Sequence, residues 1–532
     1  MFEIEAGPRY LAGGGIPETC RHGDGWAIVG VGLNVAGTRA RVHGDAEWAI
    51  ALPADGHFVA VRHDADGLAL HADPLGLRAL YFVRDGDTLV FSTRLDWIAA
   101  LTGRRRLDAA AFGAHWLLFN QLGHGALLAG VERLGPGQTL RVDKAGTRLS
   151  PTAAWMPRDQ PVNPIAFEQA LQPLVFPDDP GGLSLSLGLS GGMDSRLLLA
   201  LRSADAPIRL HTFGDAHDPD AAMARRLARA VDLPIATIDA PLPDAETCLA
   251  LLRGHMALTQ AVSPASGVLG LRHFAALREK GSWLIDGGFG EVARQQYLNR
   301  LRLRGRKVFA RRDAAGVMPF LRLHRVDVFS AEARRQYEAG AMQELDAALA
   351  ALPTSLNVDD ALDLLSIRAR LPNFFGYEQN RLDGEILNFM PFAQPSVLHA
   401  LFATPTARRR HGRLFRELIR AHQPALTRFP LVKGLQTYPF AFPPLPAYLW
   451  TEAARRVRPA RITPMQGRFL WLMESVARDR VRDQSVREDG RYDHARLLEL
   501  VDGYYERRHS RVTELDWWLA LDAWWSSLDG PS

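Results

Sequence analysis

The stretch from Leu183 to Arg202, LSLSLGLSGGMDSRLLLALR, constrains this chain more than any other. Its opening alternates apolar and small residues, which is the period of a strand, and its end is a leucine-rich amphipathic run, which is the pattern of a helix. Between them, Ser190-Gly191-Gly192-Met193-Asp194-Ser195 must turn the chain from one to the other. In a parallel α/β sheet such a turn lies beyond the carboxyl end of its strand, where ligands bind. Gly191 and Gly192 let the backbone approach a ligand closely. The N–H groups that open the helix favour an anion, and Ser190 and Ser195 add hydroxyl donors. Asp194 would repel a bare phosphate; a bridging Mg2+, which takes carboxylate and phosphate oxygens together, accounts for it. The plainer reading is a glycine-rich turn capping a helix. The GxxxxGK[ST] spacing of a Walker loop is absent.

The pattern differs on the two sides of this turn. Residues 1–150 read as short strands (WAIVGVGL, HFVAVRHD, LALHADP, LYFVRDGDTLVFST, QTLRVDKAG) split by Gly and Asp turns, with one helical stretch, LDAAAFGAHWLLF, at 107–119. A Pro-rich connection, TAAWMPRDQPVNP, occupies 152–164. From 165 to 532 strands alternate with helices: after LSLSLGL come IRLHTFG, the helix PDAAMARRLARAV and the strand PIATIDA, and helical patterns dominate from about 320. The fold class expected is α/β: a β-rich stacked domain over 1–150, then a doubly wound parallel-sheet domain with added helices over 165–532.

SGGMDS in this setting resembles the pyrophosphate loop of the asparagine synthetase family, and other segments fall in the family's order. ADPLGLRALYF (72–82) and LVFSTRLDWIAAL (89–101) resemble its N-terminal glutamine amidotransferase domain, LLAGVERLGPGQTLRVD (127–143) its domain-closing segment, and RLFRELIRAHQPALTRFPLVKG (413–434) its distal lysine motif. The resemblance implies an Ntn-hydrolase-like first domain and an ATP-pyrophosphatase second one. It implies a ligase that adenylates a carboxylate with ATP and Mg2+ and hands the acyl group to an amine. Ser190, Gly191, Gly192, Asp194 and Ser195 would then hold pyrophosphate, Thr212, Phe213 and Gly214 would border adenine or ribose, Asp286 and Gly287 would line the opposite wall, and Lys433 would be the catalytic lysine.

Three departures qualify what the resemblance implies. Glutamine-dependent members carry a nucleophilic cysteine just after the initiator Met, whereas position 2 here is Phe and the first cysteine is Cys20. A thiolate is the nucleophile such chemistry needs, so the first domain is expected to lack glutaminase activity and the amine to be ammonia or a group on the substrate. In LIDGGFGEVARQQY (284–297), Glu291 falls where the family places a metal-binding Asp, Val292 replaces the following Glu, and Asp286 is an alternative ligand. Asp194 and Glu291 are therefore the expected Mg2+ ligands. In FFGYEQNRLDGEILNFMPFAQPSVL (374–398), Leu387 stands at a usual acidic position, which leaves Glu378, Asp383 and Glu385 as candidate bases towards an amine, or as solvated helix charges.

The remaining features set bounds on partners. The net charge of +4 demands no polyanion, and the basic run NRLRLRGRKVFARR (299–312) lacks interleaved stacking aromatics, so a solvated helix or a grip on an acidic substrate is expected in place of nucleic acid. Two cysteines, no apolar run of the ~18 residues a membrane span needs and no signal-like N-terminus point to a cytoplasmic protein without a membrane partner. Trp517, Leu521, Trp524 and Leu528 share one helical face and are expected in the core. The substrate expected is a small-molecule or peptide carboxylate, and a homodimer is compatible with the sequence. Two other readings stay open: intramolecular amide closure, as in lasso-peptide cyclases and β-lactam synthetases, and a catalytically inactive nucleotide-binding scaffold.

Overall fold

The alternation at 183–189 does form a strand, and the leucine run after the turn forms the helix Asp194–Ala200. The computed structural model describes residues 2–528 apart from 7–8, 14–15, 66, 87, 152, 158–165, 203–205, 215–217, 279–281 and 458–464, with residues 2–13 as backbone only. Most of the Pro-rich connection and the side chain of Phe2 thus lie outside the described residues.

The first 150 residues contain β1 (Phe2–Ala6), β2 (Arg9–Gly13), β3 (Cys20–Gly23), β4 (Trp26–Ala36), β5 (Arg39–Val42), β6 (Asp55–Asp64), β7 (Gly67–Ala72), β8 (Tyr81–Asp85), β9 (Thr88–Ser92), β10 (Glu132–Arg133), β11 (Thr139–Asp143) and β12 (Gly146–Leu149). β1 pairs with β2, β8 lies between β10 and β9, and the rest form a sheet in the order β12-β11-β7-β6-β4-β3 with β5 on β4. Helix Ala109–Leu117 starts where expected, because the Asp108 carboxylate accepts from the N–H groups of Ala110 and Ala111.

Beyond them, β13 (Ser184–Gly188), β14 (Arg209–Phe213), β15 (Ile235–Ile238), β16 (Ser282–Ile285) and β17 (Asn388–Phe389) make a parallel sheet in the order β15-β14-β13-β16-β17. The chain steps outward from β13 to β15, then returns to lay β16 on the other side of β13. The order therefore reverses at β13, and the carboxyl ends of β13 and β16 form the switch point where open α/β sheets place their ligand crevice. All four residues of β16 are buried, as a strand covered on both faces requires. Helices dominate afterwards. Val358–Arg370 runs through a wider turn at Leu371–Phe375 into Gly376–Asn380, because Pro372 has no N–H to continue the regular ladder. A hairpin of β18 (Leu431–Lys433) and β19 (Gln436–Tyr438) follows.

The hydrophobic core crosses from the sheet-rich region into the parallel sheet. Val31, Leu77 and Ala114 belong to one buried cluster with Leu187, Ile285 and Phe389. Polar contacts reinforce this packing: Gly56 N–H donates to Gln394 Oε1 at 2.7 Å and Ser396 N–H to Asp55 Oδ1 at 2.9 Å. A second cluster seats Phe112 and Trp116 against Leu252, Met256 and the C-terminal helix Val512–Ser527, and Trp517, Leu521, Trp524 and Leu528 are buried there as expected. The basic run is largely solvated, as expected, with Arg300, Arg304, Lys307 and Arg311 exposed, but two of its arginines turn inward. Arg302 donates to Asp359 and Asp363 at 2.8 and 2.6 Å, and Arg306 to Asp359 at 2.6 Å, so these cations are spent on internal ion pairs. Among the described residues no helix is long and apolar enough to cross a membrane.

Candidate functional site

The turn at 190–195 folds back on itself. Ser190 Oγ and Ser195 Oγ lie 3.0 Å apart, Ser190 N–H donates to Ser195 Oγ at 3.1 Å, and Gly192 N–H donates to Ser190 Oγ at 3.1 Å. Gly191 N–H donates to Asp220 Oδ1 at 2.9 Å. The amides of 190–192 are therefore already bonded within the protein, which leaves the expected anion-facing role to the N–H groups that open the helix at Asp194. An enclosed N–H requires an acceptor, and here rotatable hydroxyls and a carboxylate supply it.

After β16 the chain turns through Asp286-Gly287-Gly288-Phe289-Gly290-Glu291. Asp286 N–H donates to Phe389 O at 2.8 Å, and the Asp286 carboxylate accepts from Gly288 N–H at 2.9 Å. Phe289 adopts φ +71°, a left-handed conformation unusual for an aromatic residue, and its buried ring packs on Tyr297 and Phe375. This bend presses Gly290 against Asp194: a Cβ at 290 would lie 2.4 Å from Asp194 Cγ, and one at 287 would lie 3.1 Å from Ser195 N. The two turns thus touch at the crevice, and the close approach needs glycine at 290.

Asp194 is the centre of that contact. Its Oδ2 accepts from Arg294 Nη2 at 2.7 Å, while its enclosed Oδ1 has no partner among the described residues. Burial pushes the Asp194 carboxyl up to about 6; Arg294 opposes the rise, and Glu291 and Asp286 add to it. Burial raises Asp286 as well, with Gly288 N–H opposing. Among the described residues no three His, Cys, Asp or Glu side chains form a ready cation cage. The bare Oδ1 of Asp194, with Glu291 and Asp286 in electrostatic range, fits a Mg2+ that completes its shell with phosphate oxygens and water, the usual habit of that ion.

The distal lysine segment is tied to the same turn. Arg196, fully buried, donates to the carbonyls of Gly191 (3.2 Å), Leu426 (3.1 Å), Phe429 (2.8 Å) and Pro430 (2.8 Å). Burial lowers its guanidinium only to about 10, so it stays charged near neutrality. Val432 N–H donates to Gly191 O at 3.0 Å, and a Cβ at 191 would lie 2.2 Å from Val432 Cγ2. Lys433 follows Val432 at the end of β18, exposed. Tyr438 on β19 is in electrostatic range of Arg294, Arg416 and Asp194.

The other expected residues divide. Thr212, Phe213 and Gly214 close β14, the neighbour of β13, and so border the crevice; Phe213 stacks on His273 with centroids 5.1 Å apart, and Gly214 takes φ +119°. Glu378 pairs with Arg381 at 2.5 Å, and burial raises its carboxyl against that pairing, with Asp286 adding to the rise. This places Glu378 on the crevice side. Glu385 is a correction: it precedes β17 and lines a cavity with Glu18, Leu183, Arg278 and Ser282, at the amino ends of the strands. The parallel register carries it away from the carboxyl-end crevice. Asp383 turns to Arg78 and is pushed up to about 6 by burial. It also lies in electrostatic range of the Cys20 thiol, which burial, with Asp383, raises to about 11.

The sequence reading missed Arg196 and Arg294. An arginine inside the apolar helix DSRLLLALR was a usable signal for the first. Nothing local marks the second, whose partner lies a hundred residues earlier. A scan against protein-family models and a search of curated proteins found no match to this chain.

Proposed function

We propose that the crevice binds Mg2+–ATP and that the chain is an adenylate-forming carbon–nitrogen ligase resembling the asparagine synthetases, with an Ntn-hydrolase-like first domain and an ATP-pyrophosphatase second domain. The observation that carries the reading is the convergence of three separate segments at one switch point. The Ser190–Ser195 turn, the Asp286–Glu291 turn and the Lys433 hairpin are joined by glycine-dependent contacts around one carboxylate with a bare oxygen.

In this reading a substrate carboxylate oxygen attacks the α-phosphorus, the bond to the bridging oxygen breaks, and pyrophosphate leaves. An amine nitrogen then attacks the acyl carbon and AMP departs. Ser190 and Ser195 rotate their hydroxyls from each other onto the departing phosphates, while Gly191 admits Val432 and Gly192 leaves room beside Ser190 Oγ. Asp194 and Glu291 would hold Mg2+, with Asp286 beside them, and the ion supplies neutralisation of phosphate charge. Thr212, Phe213 and Gly214 flank the nucleoside. The Lys433 ammonium, on a hairpin fixed to Gly191, reaches over the crevice towards charge developing on the α-phosphate and the acyl oxygen. Glu378, whose burial raises its affinity for a proton, would in its ionised, Arg381-paired form take the proton that the amine releases. The absence of glutaminase activity in this reading is supported by the Cys20 thiol, which stays protonated at neutral pH.

The test is ATP–pyrophosphate exchange by the full chain across a panel of carboxylic acids and peptides. Exchange dependent on one class of acid, lost in Asp194→Ala with the fold retained, supports the ligase. Dependence on a peptide bearing its own amine turns the reading towards intramolecular closure. Nucleotide binding without exchange leaves a nucleotide-binding scaffold, and unchanged exchange in Asp194→Ala removes the metal role.

A further inference from the structure

We infer that Arg294 is a phosphate-binding residue of the crevice, held on Asp194 until a metal-bound triphosphate claims that carboxylate; the inference rests on the nucleotide reading above. The charge balance of the crevice raises the need. Asp194, Asp286 and Glu291 lie within electrostatic range of one another, so the site is anionic where a polyanion must enter. The nearby cations differ in how they are committed. Arg196 gives its donors to four backbone carbonyls, and Arg416 gives its own to the carbonyls of His411, Phe440 and Phe442. Those acceptors are fixed by the chain.

Arg294 is placed differently. One nitrogen donates to Asp194 Oδ2 and another to Gln296 Oε1, both on side chains that can rotate, and its Nε is enclosed with no partner among the described residues. Its stem lies against Gly412, at φ +70°, where a Cβ would come 3.3 Å from Arg294 Cδ, so a side chain at 412 would crowd it. Asp194 and Glu291 raise the guanidinium above its ordinary value against the burial that opposes its charge, so it is a cation throughout. When a metal takes Asp194, the guanidinium loses its acceptor, and an enclosed charge without a partner is costly. The nearest new acceptors are the phosphate oxygens that arrive with that metal, and a planar guanidinium matches them with two parallel donors. The exchange keeps every charge paired: the Arg294–Asp194 bond is traded for metal–Asp194 and Arg294–phosphate contacts.

The test is calorimetric titration of the full chain with three probes: Mg2+ with α,β-methylene-ATP, Mn2+ alone, and metal-free pyrophosphate. Arg294→Gln is expected to weaken the Mg2+–nucleotide analogue by about tenfold or more and to tighten Mn2+ alone, because the competitor for Asp194 is gone. Arg294→Lys, which keeps the charge without the planar fork, is expected between the two. Asp194→Asn frees the guanidinium and is expected to bind metal-free pyrophosphate more tightly than the unaltered protein, a gain that Arg294→Gln in the same chain removes. The inference is overturned if the analogue binds Arg294→Gln as it binds the unaltered chain, or if analogue and Mn2+ weaken together, as loosened turns would produce. It is overturned equally if Asp194→Asn brings no gain. An unaltered chain that binds neither analogue nor pyrophosphate removes the nucleotide reading itself; one that binds them while Arg294→Gln does so equally removes the Arg294 role alone.

Discussion

Asp73 shows how one side chain can be both well bonded and reluctant to ionise. Its carboxyl accepts from the N–H groups of Phe58, Leu75, Leu77 and Arg78, yet burial dominates and pushes it up to about 6. The folded state therefore holds this proton more tightly than the unfolded chain, where the group titrates near the ordinary carboxylate value of about 4. Its contribution is full below that pH and is lost as pH climbs through 6. The stability cost of Asp73→Asn is accordingly expected to be larger near pH 4 than near pH 7, by roughly 2 kcal/mol; urea unfolding of both proteins across that range measures it, and a cost that does not change with pH refutes it. Asp194 follows the same sign, so in the proposed Mg2+ role it would be a poorer ligand below about pH 6, where it is protonated.

At the scale of elements, the Arg196 contacts matter most. They join the helix after β13 to the segment leading into β18, so the serine-glycine turn and the lysine hairpin move as a unit. Arg196→Met retains much of the stem but leaves the carbonyls of Leu426, Phe429 and Pro430 without this donor, while Gly191 O keeps the Val432 N–H, and is expected to cost about 3 kcal/mol of stability. Faster hydrogen exchange at the Val432 amide, which bonds Gly191 O, would accompany the loss; equal exchange in both proteins would show that the hairpin is held by other means. The same contrast explains what could be read in advance. β13, β14, β15 and the helices Asp194–Ala200 and Pro219–Ala230 follow from local period and capping, since Asp218 accepts from Asp220 N–H at 2.7 Å just where the pattern begins. β17, two residues long, has no period to detect. Arg294 meeting Asp194, and Glu385 falling at the wrong end of the sheet, are set by the return of the chain past β13, which no window of neighbouring residues encodes.

Across the molecule, the shared core is the controlling feature. Because Val31, Leu77 and Ala114 bury against the same cluster as Leu187 and Phe389, the sheet-rich region and the parallel sheet should melt together. Calorimetry of the full chain is expected to show one cooperative transition, and a chain reduced to residues 165–532 is expected to show none; two resolved transitions would mean that the regions are independent. Natural selection then acts on the first 150 residues through their packing, whatever else they do. Polar replacements at Val31 or Leu77 should behave as loss-of-function alleles although they touch no reactant, while a lineage could discard every chemical duty of that region and still be unable to delete it.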